Sequence, residues 1–107
     1  MKLSISQKSA TVGVLRVDGK RFGYIVGHDV LCPESVYSVI LRSTMGDIAP
    51  FIVGIGAEIT DTEGQGLQIG SIAGDDFVLD GRATLARLIN MMRDAVDGLE
   101  KITLEIE

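Results

Sequence analysis

The chain has 107 residues, 46% of them apolar, and a formal net charge of −5 from 15 carboxylates against 10 basic groups. That length fits one domain, residues 1–107, burying roughly 60–70% of its unfolded surface, so a core needs neither metal nor disulfide. The acidic balance argues against nucleic acid as a partner, because Lys20-Arg21 is the only adjacent basic pair.

Cys32 is the only cysteine, which excludes an intrachain disulfide and fits a reducing, cytoplasmic setting. No 18-residue window is free of charge and apolar throughout, so no membrane span is expected. The opening MKLSISQKS lacks a sustained apolar run, so no signal peptide is expected either.

In chain order, Leu3, Ile5 and Gln7 alternate with Lys2, Ser4 and Ser6, the pattern of a half-buried strand. Thr11–Val17 and Arg21–Val26 read as strands around Asp18-Gly19-Lys20, and Asp-Gly is a strong hairpin signal. On the first of these strands Val12, Val14 and Arg16 share one face, with Gly13, Leu15 and Val17 on the other. Both faces are largely apolar.

Gly27–Pro33 breaks the pattern. Ser35–Ser43 has helical i,i+4 pairs, Val36 with Ile40 and Tyr37 with Leu41, and Pro33 and Glu34 suit a first helical turn. The alternation Tyr37, Val39, Leu41 suits a strand equally; the proline and glutamate favour a short second helix at residues 34–43. Gly46 is a candidate left-handed cap for it.

Phe51–Thr60, after Pro50, reads as one interior strand with Phe51, Val53, Ile55, Ala57 and Ile59 on one face. Asp61–Gly66 is a candidate hairpin tip leading into Leu67–Ile72. A turn at Ala73–Asp76 and a short strand at Phe77–Leu79 follow. Asp80 is a candidate N-cap for the segment of clearest period, Ala83–Asp97.

There Leu85, Leu88, Ile89, Met92, Val96 and Leu99 recur at helical spacing, predicting a helix of about 23 Å that Gly98 ends at C′. Lys101–Glu107 closes the chain as a strand with Ile102, Leu104 and Ile106 inward. These elements define an α+β fold: an antiparallel sheet with one long C-terminal helix packed across it.

No motif carries a recognised chemistry. VGIG at residues 53–56 lacks the G-x-G-x-x-G spacing and the following GKS or GKT of a phosphate loop, so Gly54, Gly56 and Gly70 are read as positions where a missing side chain lets another layer approach or permits a bulge or sharp bend. His28, Asp29 and Cys32 are the weak catalytic candidates. A Cys–His pair needs a contact of about 3 Å and a third orienting group, and structural zinc needs four ligands, which this chain with one histidine and one cysteine lacks. Asp61, Glu63, Asp75, Asp76 and Asp80 fit turn chemistry better than a calcium loop. Neither metal nor cofactor is therefore expected.

The positive signal is apolar surface in excess of what one helix covers, with Phe51, Val53, Ile55, Val12 and Val14 as interface candidates. It points to a non-catalytic protein–protein interaction module, a small regulator, inhibitor or assembly subunit, that self-associates as a homo-oligomer. Its acidic surface suits a basic protein partner. The alternative is a small enzyme or small-molecule binder with a pocket near His28–Cys32, where Tyr24, His28 or Asp76 converge.

Overall fold

A computed structural model describes residues 1–44, 47–62 and 66–107. Among them, eight strands close into a barrel: β1 (Lys2–Gln7), β2 (Val12–Val17), β3 (Lys20–Val26), β4 (Val36–Thr44), β5 (Asp47–Val53), β6 (Ala57–Thr60), β7 (Leu67–Gly70) and β10 (Ile102–Ile106). Their order around the barrel is β1-β10-β4-β5-β6-β7-β3-β2. A two-stranded ribbon, β8 (Ile72–Ala73) with β9 (Val78–Leu79), precedes the helix α1 (Gly81–Asp97). The architecture is α+β with one long C-terminal helix across the sheet.

The sheet is mixed rather than wholly antiparallel. β1 and β10 run parallel, as do β6 and β7. Asp61–Gly66 is therefore not a hairpin tip joining two antiparallel strands. Residues 63–65 lie outside the described residues, as do Met45 and the cap expected at Gly46.

The β2–β3 hairpin forms as the sequence predicts. Asp18 and Gly19 both take positive φ, 50° and 85°, the pair of left-handed residues that lets a two-residue turn follow the strand twist. Eight strands leave a barrel interior that side chains fill, and alternating Leu3, Ile5, Leu15, Ile25, Ile52 and Leu104 supply that filling. Each is worth about 1.5–3 kcal/mol relative to exposure.

Ser35–Ser43 is not a helix. Glu34 sits at φ 59°, a left-handed conformation that cannot open a right-handed helix, and the β-branched residues that follow enter strand β4. Val39 is buried between Ile102 of β10 and Ile52 of β5. Pairing on both sides overrides the local helical spacing.

Phe51–Thr60 is two strands, not one. Gly54 and Gly56 take φ 106° and 71° with no neighbour close to either among the described residues, so of the two expected roles they take the sharp bend, turning the chain from β5 into β6. Ile52, Ala57 and Ile59 point inward, while Val53 and Ile55 are exposed. Gly70 does mark a close approach, its α-carbon lying against the Leu79 backbone of β9.

The buried stripe of α1 is Thr84, Leu88, Met92 and Ala95, and its apolar members join the barrel core. Val96 and Leu99, placed on that stripe by spacing, are exposed. Asp80 occupies the N-cap position with φ 65°, yet its side chain makes no cap bond. Its carboxylate accepts the Ser71 hydroxyl at 2.6 Å instead, and its carbonyl accepts the Thr84 hydroxyl at 2.6 Å. At the other end Leu99, not Gly98, takes the left-handed conformation, φ 60°. No helix among the described residues is long and apolar enough to cross a membrane.

Candidate functional site

Because β1 and β10 are parallel, their C-terminal ends reach the same rim of the barrel, with Ile5 paired to Ile106. Antiparallel pairing brings the end of β3 and the start of β4 to that rim as well, through Val12–Val26 and Glu105–Val36. The connection between them begins at Gly27, φ 97°, and coils into one 3-10 turn, His28–Val30. Leu31 N–H donates to the His28 carbonyl at 3.0 Å, and Leu31 is buried.

This geometry leaves a cavity of about 320 Å³ at the barrel mouth. Its polar walls are Gln7, His28, Asp29 and Glu107, and its apolar walls are Ala10, Leu31, Pro33 and Ile106. Two backbone bonds of 2.9 Å hold the wall from β10 in place, from Ile106 N–H to Ser35 and from Glu107 N–H to Ile5.

His28 stands against the glycine of β2. A methyl group on Gly13 would lie 3.2 Å from His28 Nδ1 and 2.6 Å from Ile5 Cγ2. Nδ1 is buried and has no hydrogen-bond partner among the described residues, an arrangement that costs about 1–3 kcal/mol.

Of the sequence candidates, His28 and Asp29 share this cavity. Cys32 does not line it: the residue is exposed, and its N–H donates to the Tyr37 hydroxyl at 2.9 Å. Tyr24 and Asp76 are not among its walls either. Tyr24 lies on the outer side of β3, between Lys8 and Arg21, each 5.9 Å from its ring centre. Among the described residues no group of three His, Cys, Asp or Glu side chains is placed to hold a metal.

The interface candidates are dispersed. Val12 is fully buried although it faces away from the barrel core, Val14 and Phe51 are half-buried, and Val53 and Ile55 remain 44% and 39% exposed. A second, more apolar groove of about 410 Å³ runs between the end of α1 and strands β4 and β10, lined by Ile40, Leu41, Val96 and Ile102 among others.

Sequence reasoning missed Gln7 and Glu107, which meet only through the β1–β10 pairing of chain segments about a hundred residues apart. The one local signal was Gly13, a residue without a side chain in the middle of an apolar strand. Comparison of the chain with protein-family models, curated proteins and solved structures gives no match.

Proposed function

We propose that this protein is a small-molecule binder whose site is the mouth of its barrel. The observation that carries the reading is the cavity of about 320 Å³ itself, where the chain's only histidine and Asp29 stand beside apolar walls from Leu31, Pro33 and Ile106. Pockets of this kind combine apolar walls with a few convergent polar groups and occur in barrel mouths. Binding is favoured over catalysis because the walls formed by the described residues hold no thiol or hydroxyl nucleophile for His28 to activate.

The test is a ligand-observed NMR screen of small fragments against the wild type and His28→Ala. Hits that vanish in the variant support the reading. A hit list unchanged by the substitution contradicts it.

A second reading has its own observation. Ile40 and Val96 leave apolar surface in the larger groove, and Val53 and Leu99 are exposed elsewhere on the surface, which suits self-association as a homo-oligomer. The net charge of −5 suits a basic protein partner, and the single free cysteine suits a cytoplasmic location. Light scattering over a concentration series tests the first of these: a mass that stays at one chain removes self-association.

A further inference from the structure

We infer that a second copy of this chain docks on the outer face of strands β4 and β5. This rests on the self-association reading above and names its surface. In the β4–β5 pairing Ile40 stands opposite Phe51, and Ser38 opposite Val53. Their chain neighbours Val39 and Ile52 are buried in the core, whereas Ile40 and Val53 are exposed and Phe51 is half-buried. Alternation therefore puts Ser38, Ile40, Phe51 and Val53 on the outside of the barrel. Ile40 also lines the groove beside α1, so the apolar surface runs on to the exposed Val96. Single exposed aliphatic residues are ordinary, but a contiguous apolar strip marks an association site.

Charge selects the occupant. On one flank of the strip Arg42 is ion-paired to Glu58, which stands opposite Phe51, and its guanidinium lies 5.3 Å from the Phe51 ring centre. On the other flank Glu100 and Lys101 line the groove. Among the described residues each flank thus carries one charge of each sign, in a chain whose net charge is −5. An acidic or a basic partner would find no local excess among them to read.

A copy of the same strip matches it. A two-fold contact is self-complementary: apolar centre lies on apolar centre, and each flank lies over the partner's opposite flank, cation to carboxylate. Repulsion between two acidic chains is screened beyond about 8 Å at physiological salt. At the centre of the strip the strands are paired on both sides, Val39 with Ile102 and Ile52, and Ile52 with Ala57. The copies therefore meet through sheet faces rather than by joining strand edges.

Sedimentation equilibrium from about 1 μM to about 1 mM protein tests this with the wild type and three variants. The wild type is expected to form a dimer. Ile40→Glu and Val53→Glu each put a charge into the apolar centre of both copies, and each should raise the dissociation constant about tenfold or more. Leu79→Glu, at an exposed apolar site on the β8–β9 ribbon, should leave it unchanged. All three side chains are exposed, so circular dichroism of the variants should match the wild type. A wild type that stays one chain throughout overturns the assignment together with self-association. A dimer that Ile40→Glu and Val53→Glu leave intact, or that Leu79→Glu weakens as much, overturns this face and leaves self-association standing.

Discussion

His28 rests on Gly13: the imidazole Nδ1 lies 3.2 Å from where a side chain on that glycine would begin. The absent side chain in β2 is the seat of the ring, and the seat leaves Nδ1 buried with no partner among the described residues. Ile5 Cγ2 lies closer still, at 2.6 Å from the same point. Gly13→Ala therefore overpacks the barrel mouth, and its cost is expected to be about 1–3 kcal/mol. Urea denaturation measures that loss. The His28 resonances should shift at the same time, because the ring must leave its seat; a neutral substitution with unmoved signals would contradict the arrangement.

The helix divides into a buried stripe and an exposed end, and substitutions should separate them. Leu88 is fully buried in the core shared with the barrel, so Leu88→Ala should cost about 2–5 kcal/mol. Leu99 is 92% exposed at φ 60°, a conformation that disfavours any side chain and suits glycine. Leu99→Gly should leave stability unchanged or raise it by up to about 1 kcal/mol. Thermal unfolding of the two variants reads both effects.

Lys2 and Glu105 tie β1 to β10 on the outside of the barrel, Nζ to Oε2 at 2.7 Å. The hydrogen bond to the Glu105 carboxylate, and then the charge of that carboxylate, raise the Lys2 pKa above its ordinary value. A lysine raised on folding stabilises the folded state fully at pH values below its unfolded pKa of about 10.4, and that contribution disappears as pH rises through the folded pKa. The pair is largely exposed, so the effect is small. The melting-temperature difference between wild type and Lys2→Met should stay constant from neutral pH up to that range, then shrink above it.

The local features of the fold were legible in the sequence. Alternation placed Leu3, Ile5, Ile102 and Leu104 inward, Asp18-Gly19 set a hairpin, and helical spacing found α1. What failed were the places where distant segments decide. Val39 became a strand residue because Ile52 and Ile102 flank it, and nothing within Ser35–Ser43 records those neighbours. The helix face came out rotated because spacing alone cannot tell Ala95, which fits against the core, from Val96, which does not.

Closure of the sheet was invisible for the same reason. It rests on parallel pairing of the first strand with the last, which also builds the cavity from Gln7, His28, Asp29 and Glu107. Only His28 and Asp29 were visible as candidates beforehand. Being adjacent in the chain, they could be grouped without knowing the fold.

The most direct test of the account is the imidazole 1H–15N spectrum of the lone histidine, recorded while the tightest fragment is titrated to saturation. Binding at the barrel mouth predicts progressive shifts of the His28 nitrogens, with methyl signals of Leu31 and Ile106 moving at the same fragment concentration. Saturation that leaves His28 unmoved while Ile40 and Val96 respond would place the ligand in the groove beside α1, and the barrel mouth would lose its assignment.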